Sequence, residues 1–155
     1  MYHLHQLDAS HALAISRLWQ EGASESADAE QLFTPDISIA AHAEIIAQQL
    51  LQAERLAWGV VNPDGELLAY ITASLHEAEV KYAPERYLKI HDLDVSRLAR
   101  RAGLGRQLVQ AVRDYVRLHQ LQAIEVNWII NDQVADAFWR SQGFVPFLHT
   151  ARSPG

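Results

Sequence analysis

The chain has 155 residues, 49% of them hydrophobic, and a formal net charge of −6, which suits one domain with its own core and argues against disorder. It contains no cysteine, so disulfides, thiolate metal sites and a cysteine nucleophile are excluded. The start, MYHLHQLDAS, lacks the basic and apolar stretches of a signal peptide, and no apolar run approaches the roughly 20 residues of a membrane helix, so a cytoplasmic location is expected.

Along the chain the periodicity alternates between strand and helix, without repeats or low-complexity tracts. Residues 2–7 read as a first strand. Asp8 or Ser10 is placed to cap a helix over 11–20, with Leu13, Ile15, Leu18 and Trp19 on or near its inner face. Residues 21–36 form a polar break, and 39–55 read as a second helix with Ile45, Ile46, Leu50 and Leu51 as its apolar stripe. The β-rich runs 56–61 and 67–75 flank Asn62-Pro63-Asp64-Gly65, a turn sequence that joins them into a hairpin. There follow a fourth strand over 87–95, a third helix over 104–119, a fifth strand over 123–130, a fourth helix over 132–142 and a last strand over 144–149. The order is β-α-α-β-β-β-α-β-α-β, and its strand-helix-strand segment from 87 to 130 is the unit that a parallel pair requires.

Charge is unevenly spread. Residues 1–80 carry 12 Asp or Glu against 2 Arg, a balance of −10, and residues 81–155 carry 7 acids against 11 Lys or Arg, a balance of +4; together they give −6. A basic half suits a ligand with several phosphates, and an acidic half suits a cationic second ligand. The plainer alternative for the acids is a solvated face. The net negative charge also argues against a nucleic-acid partner.

The basic half contains LKIHDLDVSRLARRAGLG, an apolar strand-like run that leads through a glycine-bearing loop into an amphipathic segment. Arg100, Gly103 and Gly105 make an R-x-x-G-x-G pattern. Glycines let a backbone approach an anion closely, and the free amides and dipole of a helix's first turn supply donors and positive potential. The nucleoside-triphosphate loop G-x-x-x-x-G-K-[ST] is absent, and the dinucleotide fingerprint G-x-G-x-x-G fails at Leu108. No acid ends a second strand as a ribose-binding carboxylate would, although Glu125 lies near that spacing.

The loop resembles motif A of the GNAT superfamily, the Gcn5-related N-acetyltransferases, whose pattern is [RQ]-x-x-G-x-[GA]. The L-x-V strand end that precedes it in the family has its counterpart in Leu93-Asp94-Val95. Asn131-Asp132, Ala135, Phe138-Trp139 and Gly143-Phe144 follow the family's Asn, aromatic helix and Gly-Phe step. The resemblance implies one GNAT-like domain over 1–155, of the α/β class with α+β-like layering and a mixed central sheet. It implies acetyl-CoA as acyl donor and a primary amine of a small molecule, peptide or protein as acceptor, with no nucleic-acid or membrane partner and a homodimer as an allowed assembly. In the family the fourth and fifth strands splay apart, and the pantetheine arm pairs with the exposed edge. Cofactor contacts are therefore expected at Leu93, Asp94 and Val95, and at Arg100, Arg101, Ala102, Gly103, Leu104, Gly105 and Arg106 around the phosphates. Asn131 and Trp139 complete that expected set, with either Asn131 or Asp132 capping the last helix.

Amide formation needs a neutral amine and a path for its proton. His91 and Asp92 stand where many relatives carry an acidic pair, and either is a candidate general base. Strict alternation would set Ile90, Asp92 and Asp94 on one face and His91, Leu93 and Val95 on the other. One departure matters: Trp139 occupies the position of the family's Tyr, and an indole N–H does not protonate a thiolate at neutral pH. Tyr87, His149 or water remain as acids. The alternative function is a non-catalytic acyl-CoA-binding regulatory module. His3 and His5 share a strand face without an evident third metal ligand, so no metal is expected.

Overall fold

The structure, a computed structural model, describes residues 1–155. Strand β1 (His3–Gln6) leads through a short 3-10 turn into helices α1 (Ala12–Ala29) and α2 (Ile39–Leu50). Strands β2 (Arg55–Val61), β3 (Leu67–Glu77) and β4 (Arg86–Val95) follow, then α3 (Leu104–Leu118), β5 (Ala123–Val126) and α4 (Gln133–Ser141). One five-stranded sheet runs in the order β1-β2-β3-β4-β5, antiparallel except for the β4–β5 pair that α3 connects.

Each face of the sheet carries its own apolar cluster. Alternate strand residues Val60, Ile71 and Leu88 pack with Leu108, Val109 and Val112 of α3, whose buried positions recur on one helical stripe. On the other face Ala57 and Tyr70 pack against Ile15 and Leu18 of α1 and Ile46 of α2. The Asn62-Gly65 turn is closed by the Asn62 carboxamide oxygen, which accepts from the amides of Asp64 and Glu66 at 3.0 and 2.9 Å.

Four sequence expectations change. Helix α1 runs on to Ala29 through much of the expected polar break, because Glu and Ala there are strong helix formers and Glu21 and Glu25 are held by arginines of a distant loop. Helix α2 stops at Leu50, so Arg55 opens β2 instead of ending a helix. Strand β5 ends at Val126, after which Trp128 turns to donate from Nε1 to Asp136 of α4 at 2.9 Å. The expected last strand over 144–149 does not form; the segment has no strand partner, and Val145, Phe147 and Leu148 stay exposed.

A bulge decides how β4 presents its side chains. Thr72 opposes Asp92 and Ala73 opposes Ile90, which leaves His91 as an extra residue without a β3 partner. Leu88 and Ile90 before the bulge, and Leu93 and Val95 after it, all pack toward α3 and α4. The expected alternation is therefore overturned. Ile90 lies opposite the two aspartates, and His91 shares their face, beside Ser74 of β3.

Candidate active site

Two half-sites meet at β4. The first is an opening between β4 and β5. Their parallel ladder ends at the Ile90–Val126 pair, whereas β4 continues to Val95, so residues 91–95 have β3 on one side and no strand on the other. Unpaired strand groups of this kind are a template for an added extended chain. Leu93 and Val95 direct their side chains into the core, which leaves their main chain as the part a ligand can read.

The chain then reaches the start of α3. Gly103 is its N-cap in the left-handed region at φ 77°, and Arg101 is left-handed at φ 65°. A Cβ at Gly103 would meet nothing within 4 Å, so the backbone there borders open space. Beyond it the first-turn amides of Leu104, Gly105 and Arg106 have no helical acceptor and face the positive end of the dipole. Gly105 has a different reason to be small. A Cβ there would stand 3.2 Å from the Phe138 ring and 3.8 Å from Leu93, so its absence lets α3, α4 and β4 converge.

The remaining expected cofactor residues fall into distinct environments. Arg101, Ala102 and Arg106 are exposed, and neither arginine is engaged by another side chain, so both are available to phosphate. Arg100 is committed elsewhere: its guanidinium pairs with Glu25 of α1 at 3.0 Å and donates to the Val95 carbonyl at 3.3 Å. Arg97 also binds this end of α1, its amide donating to Glu21 at 2.7 Å. These contacts internally neutralise part of the acidic N-terminal half. Leu104 is buried in the core, so only its backbone faces the loop. Asn131 is exposed, and Asp132 is the cap of α4, accepting from the Ala135 amide at 2.9 Å. Trp139 is 6% exposed and makes edge contacts with Phe138 and Phe144, a core role, while half-buried Phe138 stands against Gly105.

The second half-site lies under α1 and α2. A cavity of about 290 Å³ is bounded by α1, α2 and strands β2–β4. Its polar lining comes from His42, Gln49, Arg55, Thr72, His91 and Asp92. Asp92 is reached by solvent through the cavity mouth, yet protein surrounds its carboxylate closely. Burial therefore raises its pKa, against the lowering influence of the Thr72 hydroxyl and the Arg55 charge. Asp94 is more strongly affected: burial pushes it up to about 7, against the Tyr70 hydrogen bond that favours the carboxylate. The Tyr70 hydroxyl donates to Asp94 Oδ2 at 2.5 Å, and Gly22 of α1 lies so close that a Cβ there would fall 2.5 Å from Oδ1.

The histidines are held neutral. His91 is lowered to about 4, first by burial and then by the charges of Arg55, His76 and Lys89, and its Nε2 lies 2.5 Å from Ser74 Oγ. Burial also lowers His42, whose Nδ1 lies 3.0 Å from Ser16 Oγ and whose ring packs on Trp19 at 4.3 Å. Against the expected alternation, the bulge thus sets His91 on the face of Asp92, and the structure adds Asp94, Tyr70, Arg55 and His42. The Asp94 carboxylate has no local signal of its own, since the motif marks only the main chain of Leu93-Asp94-Val95. Tyr70 and Arg55 join through strand register, which no local pattern displays.

Tyr87, one of the acids that the sequence offers, is not at the β4–β5 opening. It stacks on His76 at the far end of β4, six residues before Leu93 and so roughly 20 Å away at about 3.3 Å per residue. His149 is exposed.

The GNAT acetyltransferase family model matches residues 16–144. Among solved structures, a tetramutant of the BH1408 protein from Bacillus halodurans superposes with a TM-score of 0.88 at 18% identity, over 98% of this chain and 99% of that one. The aminoglycoside 6'-N-acetyltransferase AAC(6')-Ih from Acinetobacter baumannii gives 0.71 at 19% identity over 100% of both chains. The aminoglycoside N-acetyltransferase AAC(6')-Iy, solved in complex with CoA, gives 0.75 at 14% identity over 100% of this chain and 95% of that one. A search of curated proteins found no match. With a strand opening beside a helix N-terminus, and with four-fifths of its length matched by the family model, the chain belongs to the GNAT acetyltransferase family.

Proposed function

We propose that this chain is an acetyl-CoA-dependent N-acetyltransferase that acylates a primary amine. The observation that carries the reading is the unpaired edge of β4 over residues 91–95, lying between the start of α3 on one face and the acid-lined cavity on the other. The fit to acetyl-CoA is physical: the open edge offers main-chain donors and acceptors to an extended amide-bearing arm. The unobstructed turn at Gly103, with Arg101 and Arg106, offers amides and two charges to phosphates. A CoA-bound GNAT neighbour supports the same choice. When bound, acetyl-CoA supplies an activated acetyl thioester.

The chain's own contribution lies on the other face of β4. Asp92 borders the cavity, and its raised pKa brings it closer to the pH at which a carboxylate base is effective, so it receives the amine's proton directly or through water. Asp94, tied to Tyr70, keeps a second carboxyl beside Asp92 that is partly protonated near neutrality, which limits their mutual repulsion. His91, lowered to about 4, is a weak base and serves as a neutral hydrogen-bonding wall. Water supplies the proton for the departing sulfur, since Trp139 is packed in the core and Tyr87 lies far along the strand.

Trp139, packed in the core where the family carries a Tyr, favours one second reading, a regulatory module that binds acyl-CoA without turnover. Thiol release across an amine panel, set beside calorimetry of acetyl-CoA binding, separates the two. Turnover supports the transferase; tight binding without turnover across the panel supports the module.

A further inference from the structure

One charge in the acceptor cavity has no partner in the chain. Arg55, the first residue of β2, is half-buried and lines the cavity, and no acceptor within the chain engages its guanidinium. Charged groups drawn partly out of water are ordinarily paired, so an unengaged guanidinium facing a cavity points to an anion that arrives with a ligand. The Gln49 carboxamide, also on the cavity wall and unbonded, adds a donor from α2.

The cavity's own carboxylate does not satisfy Arg55. Arg55 opposes Ser74 of β3, while Asp92 opposes Thr72, so the two backbones lie two strands and two residues apart, roughly 12 Å at about 4.8 Å per strand and about 3.3 Å per residue. The Arg55 charge reaches Asp92 enough to lower its pKa, but no ion pair joins the two side chains. The cavity therefore has two poles, an acid at Asp92 and a guanidinium at Arg55, with Ile46, Leu50 and Leu56 contributing apolar lining. A plain alkylamine would match the first pole and leave the second desolvated. A molecule with an amine at one end and a carboxylate at the other matches both, and a guanidinium's planar fork accepts a carboxylate bidentately. A volume of about 290 Å³ restricts the ligand to something small. A zwitterion also carries no net charge to be repelled by a chain of net charge −6.

We propose that Arg55 is the carboxylate-binding residue of the acceptor site, and that the acceptor is a small amino carboxylic acid whose amine is directed at Asp92. This rests on the acetyl-transfer reading of the same cavity.

The test compares glycine, β-alanine and γ-aminobutyrate with their carboxamides, by thiol release with acetyl-CoA and by calorimetry, in the wild type and in folded Arg55→Gln and Arg55→Lys variants. The wild type is expected to favour the best carboxylate over its carboxamide by about 10- to 100-fold in kcat/KM, the range of a charged hydrogen bond. Arg55→Gln brings that ratio to about one, mainly through KM, and Arg55→Lys retains part of it because the charge remains while the fork is lost. Equal use of carboxylates and carboxamides by the wild type, or a ratio unchanged in Arg55→Gln, overturns the proposal and leaves amine acetylation standing. If no amine is turned over, the transfer reading fails by itself and calorimetry decides the rest. Amino carboxylate binding that is lost in Arg55→Gln supports the Arg55 pole, and no amino carboxylate binding to the wild type overturns it.

Discussion

At the start of α3 the groups offered to a ligand are main-chain amides and two unengaged guanidiniums, whereas across β4 the cavity under α1 and α2 offers side chains fixed one at a time by hydrogen bonds. The first region depends on conformation: a left-handed glycine, a helix terminus and a strand edge that its neighbour abandons. The second depends on register: the bulge at His91 turns it to the face of Asp92 and Asp94, and pairing with β3 sets Tyr70 against Asp94. A backbone site tolerates many side chains and serves a common ligand. A side-chain site is easily altered by substitution, which suits the acceptor choice proposed for it.

Substitutions that act on one region and spare the other would sharpen this division, and the largest effect is expected at Asp92. Asp92→Asn should lower kcat by about 10²- to 10⁴-fold, the usual contribution of a general base, while acetyl-CoA affinity by calorimetry stays close to wild type. A drop of only a few-fold with a good acceptor would remove Asp92 from proton transfer and weaken the claim that chemistry resides on the cavity face.

Trp139 lies behind the backbone region. Trp139→Ala should cost about 3–5 kcal/mol in chemical denaturation, as for other large aromatic residues removed from a core. Trp139→Tyr should leave turnover unimproved, because the ring packs between Phe138 and Phe144. Increased turnover in Trp139→Tyr would instead place this position at the reacting sulfur.

The buried acid makes stability depend on pH in a defined direction. Asp94 titrates at about 7 in the fold against an ordinary 3.8, so the folded chain holds its proton more tightly than the unfolded chain does. Its contribution favours folding below the ordinary carboxylate range and is lost progressively as pH rises through about 7. The change amounts to at most about 4 kcal/mol at about 1.36 kcal/mol per pH unit. Asp94→Asn should flatten this slope in urea melts taken between pH about 4 and about 8; an unchanged slope would show that Asp94 is not the group responsible.

Gly103 should give the smallest change in stability, with its main effect on binding. Gly103→Ala forces a Cβ into the left-handed region, at about 1–2 kcal/mol. The added methyl meets no protein atom and projects into the space assigned to phosphate, so acetyl-CoA affinity should fall by more than the loss of stability explains. Calorimetry that finds the affinity intact in the folded variant would remove the loop from cofactor binding.

The order of nine of the ten expected elements is legible in the sequence, all but the last strand, because helical and strand periodicities are local and the Asn62-Gly65 turn and the loop before α3 are marked by their residues. The glycine loop is legible for the same reason: left-handed conformation and a helix start are written in a few adjacent residues. Residues 144–149 are rich in apolar side chains, as a strand can be, yet strand formation also needs a partner, and none pairs with them. The cavity under α1 and α2 lies further from what a local pattern can show. A one-residue bulge reverses the facing of half of β4, and Arg55, His42, Tyr70 and Asp94 come from four separate elements. Composition and spacing by themselves determined the layered α/β order and the anion-ready turn, since both follow from short-range sterics and hydrogen bonding. Which carboxyl is buried, which arginine pairs with Glu25 and which is left facing a cavity were decided only when sheet register and helix packing set distant residues side by side.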